Sequence, residues 1–402
     1  MNLEKQIKEI ERGTVDITSK EELIKRLEEK RPLNIKFGVD PTAPDIHLGH
    51  TVPLQKLKQF QELGHNIHLI IGDYTAMIGD PSGKSETRPT LTKEEINHNL
   101  KTYKTQVFKV IDPNKTNLLY NSSWLGKFSG EDIINLGTKY TVQQLLQRRD
   151  FSERIKKDKP LSVTELLYPL LVGYDSVHLK TDIELGGTDQ LFNFKASRHM
   201  QRAYNQDPEV IITLPLLEGT DGIKKMSKSL GNSIGVKDNP DEMYGKIMSI
   251  SDDLMIKYYE LLSSIPMDNF KKIRKDIYGG NINPMEYKKD LAKEIVTRFH
   301  GEDYAIKAEE NFRNIHRKKM MPDELEDMLI KYTCENDLSL VNILKSTEKA
   351  NSNGEAKRLI EQGAVKIDGN KIQDIKYVVT SDYEKVLQVG KRYFKKLSFD
   401  NK

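Results

Sequence analysis

Two histidines and a glycine near residue 50 have the types and the spacing needed to act on a nucleotide triphosphate. His47 and His50 stand three residues apart in the sequence His-Leu-Gly-His, and residues with this spacing share one face of a helix. At a helix N-terminus they add donors to the free backbone N–H groups and the positive end of the helix dipole. Gly49 leaves room for a flat base to lie against the helix. Two chance histidines on a surface helix are the alternative interpretation.

A lysine-rich stretch in the middle of the chain complements this motif. Lys225 and Lys228 flank Met226 and Ser227 in a loop that follows a predicted strand. Two lysines on a loop that closes over phosphates supply positive charge as pyrophosphate departs. A solvated lysine run is the alternative in a lysine-rich chain, but the order and spacing of the two motifs favour one shared nucleotide site.

Two glycine-containing segments do not fit the usual phosphate and dinucleotide sites. The segment Gly79-Asp80-Pro81-Ser82-Gly83-Lys84-Ser85 lacks the P-loop spacing, because Ile78 stands where the first glycine is required. The segment Gly186-Gly187-Thr188-Asp189-Gln190 is not a dinucleotide fingerprint. Its glycines let the backbone approach a ligand, and its aspartate is predicted to accept a hydrogen bond from a ribose hydroxyl. A plain turn is the alternative.

An apolar stretch that ends in an acid predicts a pocket for a phenol. It runs from Tyr168 to Asp175. A carboxylate at the bottom of an apolar pocket accepts a hydrogen bond from a phenol hydroxyl, and leaving this acceptor unpaired would disfavour phenylalanine. A role for Asp175 in capping a helix is the alternative.

The elements around these residues predict an α/β fold built on a parallel sheet. Strands are predicted at 33–39 and 65–71 with a helix at 46–63 between them, and this order implies parallel strands. A further strand is predicted at 210–217, just before the lysine loop. The charged, mostly helical pattern of 86–160 indicates an insertion between the two halves of the fold.

The second half of the chain changes character twice. Residues 240–317 are helical in pattern throughout, and 318–337 are predicted to be a connector. Residues 338–397 predict a small α+β unit with a net charge of +5, which exceeds the +3 of the whole chain. The basic surface is therefore concentrated at the C-terminus, as expected for contact with a polyanion.

The tail contains a capped helix with Lys357 and Arg358, followed by Lys366 and a hairpin turn at Asp368-Gly369. A basic helix beside a turn contacts RNA through phosphates and shape. The tail therefore predicts RNA binding, and a small packing domain is the alternative.

Chain length and composition limit which other classes of protein are possible. A chain of 402 residues predicts two or three domains. Cys334 is the only cysteine, so neither an intramolecular disulfide nor a cysteine-based zinc site is expected, and a metal site on the two histidines is not favoured. We expect no membrane span, because no stretch of about 18 apolar residues occurs. We expect no targeting segment, because the N-terminus has no apolar h-region and carries Glu4 and Glu9. A cytoplasmic location is expected because a single cysteine suits a reducing compartment.

The paired motifs resemble the HIGH and KMSKS motifs of class I aminoacyl-tRNA synthetases. Within that class, the segment Phe37-Gly38-Val39-Asp40-Pro41-Thr42-Ala43-Pro44 is similar to the tyrosyl-tRNA synthetase family, and the tail resembles an S4-like RNA-binding module. The resemblance covers nearly the whole chain. It implies a Rossmann-like catalytic domain over 1–235 with a helical insertion, an α-helical domain over 236–325 and the S4-like domain over 338–402.

The resemblance also assigns roles to individual residues. The ATP and adenylate site would contain Asp40, Thr42, His47, Gly49, His50, Asp189, Lys225, Met226, Ser227 and Lys228. The tyrosine pocket would contain Lys36, Asp80, Tyr168, Asp175 and Gln190. Lys84, Arg88, Lys225 and Lys228 would act on pyrophosphate.

Two positions depart from the family pattern. Many members carry a tyrosine where Lys36 stands and a glutamine where Val172 stands. The first departure implies a different contact to the phenol. The second removes a polar partner of the substrate ammonium, so Tyr168 and Asp80 would hold that group.

The implied activity is that of a tyrosine–tRNA ligase, with ATP–Mg²⁺ and L-tyrosine as substrates, tRNA(Tyr) as acceptor, a homodimeric assembly and no resident cofactor or metal. Three alternatives stay open at this point. They are a tryptophanyl-tRNA synthetase, a synthetase-like RNA-binding protein without catalysis, and a nucleotidyltransferase that shares the histidine motif.

Overall fold

We describe the protein from a computed structural model of the chain. The described residues are 3–40, 44–82, 92–280, 282–319, 327–347, 349–390 and 393–401. They form two compact units, Met1–Glu309 and Glu310–Lys402.

The first unit is built on a six-stranded sheet. Its strands are β1 Asp16–Thr18, β2 Asn34–Val39, β3 Asn66–Ile71, β4 Thr116–Tyr120, β5 Ile183–Gly187 and β6 Val210–Leu214. The order is β1-β6-β5-β2-β3-β4, and every pair is parallel except β1 with β6. The predicted parallel α/β fold is confirmed. Strand β4 lies in the stretch 86–160, for which the sequence predicted a mostly helical pattern.

The chain order of the strands creates a crevice at the carboxyl ends of β2 and β5. From β2 the chain proceeds outward through β3 to β4, whereas from β5 it proceeds in the opposite direction to β6. Ligands of open α/β sheets bind at such a switch point. The strands that flank it are buried, with Ile35, Ile183 and Ile212 wholly inaccessible to solvent.

Fifteen helices are described between Leu3 and Lys319. They are α1 Leu3–Glu11, α2 Lys20–Glu28, α3 Leu48–Glu62, α4 Lys93–Val107, α5 Ser122–Leu125, α6 Gly130–Thr138, α7 Val142–Leu145, α8 Arg149–Lys156, α9 Val163–Leu179, α10 Leu191–Ala203, α11 Pro240–Ser249, α12 Asp252–Leu262, α13 Met267–Tyr278, α14 Pro284–His300 and α15 Glu302–Lys319. Helices α4 to α8 occupy the predicted insertion, and α11 to α15 the stretch predicted to be helical throughout.

Local sequence explains where the helices that carry the site begin. Ser162 accepts a hydrogen bond from the Glu165 N–H and caps α9, as hydroxyl residues do at helix starts. His47 takes this role for α3 with extended backbone angles. Helix α9 then packs through buried Leu170 and Leu171 beneath the sheet.

The second unit is a small α+β domain. Its elements are β7 Asp327–Tyr332, α16 Leu340–Ser346, α17 Asn353–Glu361, β8 Val365–Ile367, β9 Asn370–Ile372, β10 Lys385–Val389 and β11 Tyr393–Asn401. The sheet order is β7-β11-β10-β8-β9. The predicted hairpin turns at Asp368 and Gly369, which have φ angles of 48° and 82°, as a type I′ turn requires. Strand β7 lies inside the stretch predicted to be a connector.

None of the described helices is both long and apolar enough to cross a membrane.

Candidate active site

The two motif histidines form the cap of helix α3. The Gly49 N–H donates to His47 Nδ1 at 3.1 Å, and the His47 N–H donates to His50 Nδ1 at 3.2 Å. The rings lie with their centroids 3.9 Å apart. Because each Nδ1 accepts a hydrogen bond, each neutral ring carries its proton on Nε2.

Both histidines are held neutral. Burial, the neighbouring His50 and the positive Lys228 lower the pKa of His47 to about 3. Burial and Lys228 lower the pKa of His50 to about 4. At neutral pH each ring is therefore an uncharged N–H donor beside the helix N-terminus, which suits a phosphate oxygen.

The lysine loop lies beside this helix. The Leu48 N–H donates to Ile234 O at 2.9 Å and ties the helix start to the segment that follows the loop. The Met226 N–H donates to Leu217 O at 2.7 Å and ties the loop to the segment that precedes it. A Cβ at Gly49 would lie 3.6 Å from the Met226 Cβ and within 3.0 Å of the His47 ring. Glycine is therefore needed where the helix, the His47 ring and the loop meet.

The lysines themselves remain at the surface. Lys225 is exposed, and the Lys228 Nζ lies 3.9 Å from Asp45 with half of its side chain accessible. The loop backbone is held from within, because Asn232 accepts from the Ser227 N–H at 2.9 Å and donates to Asp221 at 3.0 Å. This arrangement fixes the loop base while leaving both ammonium groups able to reach a phosphate.

A cavity of about 310 Å³ opens beside the histidines at the ends of β2, β3 and β5. Its lining includes all five residues predicted for the tyrosine pocket, together with Asp40 and His50. The five are Lys36, Asp80, Tyr168, Asp175 and Gln190. His50 therefore connects the histidine motif with the predicted tyrosine pocket.

One end of the cavity is anionic. The Tyr168 hydroxyl donates to Asp40 Oδ2 and the Thr75 hydroxyl donates to Asp40 Oδ1, both at 2.9 Å. Gln190 Nε2 donates to Asp80 Oδ2 at 2.8 Å. Burial and the nearby Asp80 raise the pKa of Asp40 to about 7. Two carboxyl groups that line the same end of the cavity form a site for a cation, such as a substrate ammonium group.

The other end of the cavity presents a single buried carboxylate. Trp124 Nε1 donates to Asp175 Oδ1 at 2.8 Å, and Asn121 Nδ2 donates to Asp175 Oδ2 at 3.3 Å. Burial raises the pKa of Asp175 to about 6, although Lys36 and the two donors oppose that rise. Asp175 is thus mostly ionised at neutral pH and able to accept a hydrogen bond from a ligand.

Lys36 lines the same end, but its ammonium group is already engaged. Its Nζ lies 2.7 Å from Glu184 Oε1 and donates to Ser176 Oγ at 2.8 Å and to Val172 O at 3.0 Å. Three protein acceptors match the three hydrogens of an ammonium group. The hydrogens of the Lys36 ammonium group are therefore directed to protein acceptors, and its role in the tyrosine pocket stays a prediction.

Sequence reasoning missed Thr75, Asn121, Trp124 and Glu184. Asn121 bridges the two ends of the cavity, since its Nδ2 also donates to Thr75 Oγ1 at 3.2 Å. Of these four residues, only Trp124 could have been singled out from the sequence, because it is the single tryptophan of the chain.

The remaining predicted site residues are distributed as follows. Asp189 does not line the cavity; its carboxylate folds back over Gly187, where a Cβ would lie 2.4 Å from Asp189 Oδ1. Thr42, Lys84 and Arg88 lie outside the described residues.

The predicted RNA-binding residues lie in the second unit. Lys357 and Arg358 are exposed on α17, and Lys366 is half-buried on β8. Across the described parts of both units, no group of three or more histidine, cysteine, aspartate or glutamate residues is arranged to hold a metal ion.

The chain matches two known protein families. Residues 28–317 match the family described as "tRNA synthetases class I (W and Y)". Residues 323–394 match the "Tyrosine--tRNA ligase SYY-like C-terminal domain". Among solved structures, the tyrosyl-tRNA synthetase of Archaeoglobus fulgidus, complexed with L-tyrosine, has a TM-score of 0.63 at 24% identity, covering 77% of this chain and 99% of that one. A mitochondrial tyrosyl-tRNA synthetase from Aspergillus nidulans has a TM-score of 0.65 at 21% identity, covering 77% and 94%.

The match over residues 28–317 places the chain in the class I tRNA synthetases of the tryptophan and tyrosine type. Curated relatives narrow this class. The tyrosine–tRNA ligase of Desulfotalea psychrophila is 48% identical over 99% of both chains, and that of Thermotoga maritima is 49% identical over 99% of this chain and 98% of its own. The chain belongs to the tyrosine–tRNA ligase family, and it is an enzyme of the aminoacyl-tRNA synthetase class.

Proposed function

We propose that the cavity joins L-tyrosine to ATP and that the same site then transfers tyrosine to tRNA(Tyr). The observation that carries this proposal is the match between one cavity and one substrate. The anionic end at Asp40 and Asp80 fits an α-ammonium group, and the buried Asp175 at the other end fits a phenol hydroxyl.

In the first step, a carboxylate oxygen of tyrosine bonds to the α-phosphorus of ATP. The bond from that phosphorus to the bridging oxygen breaks, and pyrophosphate leaves with the electron pair. Asp80 and Tyr168 hold the ammonium group, with Gln190 keeping Asp80 oriented. The protein contributes positioning, because no covalent enzyme intermediate is needed.

Charge stabilisation comes from the adjoining nucleotide site. His47 and His50 act as neutral donors to phosphate oxygens, and Lys225 and Lys228 neutralise the charge that develops on pyrophosphate. Thr42, Lys84 and Arg88 complete this site, with Asp189 on the ribose and Gly49, Met226 and Ser227 against the base. Mg²⁺ enters with ATP as part of the substrate and screens its phosphates.

In the second step, a terminal ribose hydroxyl of tRNA attacks the carbonyl carbon of tyrosyl-adenylate, and AMP leaves. The tRNA is bound in part by Lys357, Arg358 and Lys366 of the C-terminal unit. This basic unit supplies the contacts to phosphates and RNA shape on which such recognition depends.

We further propose a homodimer formed through the helical insertion, working in the cytoplasm. Exposed apolar side chains on and beside the insertion support the interface. They are Ile134, Val142, Ile155 and Val163, each half exposed or more. Burying these apolar side chains against a second copy of the chain would remove them from water, which favours association.

The test is amino-acid-dependent exchange between ATP and labelled pyrophosphate, run with each of the twenty amino acids and without tRNA. Exchange with tyrosine alone is expected. Exchange with tryptophan would mean that the end of the cavity at Asp175 accepts an indole. A folded protein that binds tRNA but exchanges with no amino acid would instead favour the RNA-binding interpretation.

A further inference from the structure

Three titratable side chains are buried at or beside the phenol end of the cavity. Lys36, Glu184 and Glu209 are each at most 2% exposed. Lys36 and Glu184 stand opposite each other in the register of β2 and β5, and Glu209 immediately precedes β6, the neighbour of β5. Because none of the three side chains reaches the surface, water does not stabilise their charged forms.

Lys36 and Glu184 form an ion pair within this cluster, with 2.7 Å between Lys36 Nζ and Glu184 Oε1. Burial opposes a charge on Lys36, yet Glu184, Glu209 and Asp175 together keep its pKa above the usual value. Burial and the adjacent Glu184 raise the pKa of Glu209 well above the usual range. Pairing with an opposite charge is how ionised groups persist in a protein interior.

The contacts of Lys36 connect the cluster to the substrate carboxylate. Its Nζ donates to Val172 O and Ser176 Oγ, and these residues flank Asp175 on the last turns of α9. Glu184 holds the opposite side of the same ammonium group at 2.7 Å. Any displacement of the ammonium group would therefore act on the turn of α9 that carries Asp175.

We propose that Lys36 and Glu184 are positioning residues that set the specificity of the enzyme for a phenol. In this arrangement, Lys36 fixes the α9 turn and places positive charge near Asp175, while Glu184 keeps the lysine from turning into the cavity. Neither side chain donates to the substrate. This inference rests on the proposed function, because it concerns how the tyrosine pocket is shaped.

The experiment compares Lys36→Met, Glu184→Leu and the double variant in ATP–pyrophosphate exchange with tyrosine and with phenylalanine, alongside thermal unfolding. Each single variant leaves a buried charge without its partner, so its Tm should fall most. The double variant removes both charges and should recover much of the Tm. If the pair positions Asp175, the double variant should still show a rise of about tenfold or more in KM for tyrosine, with a smaller change in kcat and a reduced preference over phenylalanine.

Two further variants separate a loss of stability from a change in the tyrosine pocket. Lys288→Met removes a buried lysine that donates hydrogen bonds to Ile250 O and Asp252 Oδ1 and does not line the cavity. This variant should lower Tm without changing KM for tyrosine. Ser176→Ala removes one acceptor of Lys36 but no charge, and it should raise KM for tyrosine even if the single charge variants fail to fold.

The outcomes separate the two proposals. A double variant, or Ser176→Ala, with unaltered KM and unaltered amino-acid preference would reduce the cluster to a structural role and overturn the inference. Absence of tyrosine-dependent exchange in the unmodified protein would instead overturn the proposed function itself.

Discussion

Replacing Trp124 by phenylalanine tests how the phenol end of the cavity works. The substitution keeps an aromatic ring but removes the indole N–H that donates to Asp175 Oδ1 at 2.8 Å. A hydrogen bond to a buried charged group contributes roughly 1.5–3 kcal/mol, and one pKa unit corresponds to about 1.4 kcal/mol. The pKa of Asp175, now about 6, should therefore rise by roughly one to two units.

The direction of the pH effect follows from this shift. A raised carboxyl pKa means that a larger share of Asp175 is protonated at pH 7, and a protonated carboxyl is a poorer acceptor for the phenol. We expect kcat/KM for tyrosine to fall about two- to tenfold at pH 7, which is the loss of ionised Asp175 that such a shift gives. Most of the loss should disappear at about pH 9, where the group ionises again.

The assay is tyrosine-dependent ATP–pyrophosphate exchange measured from pH 6 to pH 9. His178→Phe is the matched control, because the His178 ring stacks on Trp124 with centroids 4.5 Å apart, whereas the hydrogen bond to Asp175 comes from the Trp124 indole N–H. This control should leave the pH profile unchanged. If Trp124→Phe has the profile of the unmodified enzyme, the indole does not tune Asp175 and the reasoning is refuted.

Three further results are expected. Lys228→Ala should lower the single-turnover rate of adenylate formation by about 10²-fold while KM for tyrosine stays constant; an unchanged rate would remove this lysine from the mechanism. Because the pKa of Asp40 is about 7 and a substrate ammonium favours its ionised form, KM for tyrosine should fall between pH 6 and pH 8; a flat profile in exchange kinetics would contradict this. His47→Asn keeps an N-cap acceptor, whereas His47→Ala loses it. Only the alanine variant should therefore lose about 1 kcal/mol of unfolding free energy in chemical denaturation, while both variants should lose activity. Equal unfolding free energies for the two variants would argue against the cap.

Much of the fold could be predicted because its signals are local. Strands β2 and β3, the helix between them and the left-handed turn at Asp368-Gly369 all follow from patterns within a few residues. Strand β4 could not be predicted in this way. Its burial does not alternate, and it lies inside a charged, helical stretch, so only its pairing with β3 makes it a strand.

The residues of the candidate site also divide into those that local sequence predicts and those that only the fold brings together. The sequence by itself predicted the two histidines at a helix N-terminus, the lysine loop and the family, because those motifs consist of residues that are neighbours in the chain. Only the tertiary structure decided that Trp124 reaches Asp175 and that Lys36 faces Glu184, 148 positions further along the chain. The physical reason is that parallel strands acquire their neighbours through crossover connections, so the partners of a buried charge are set by sheet order and register.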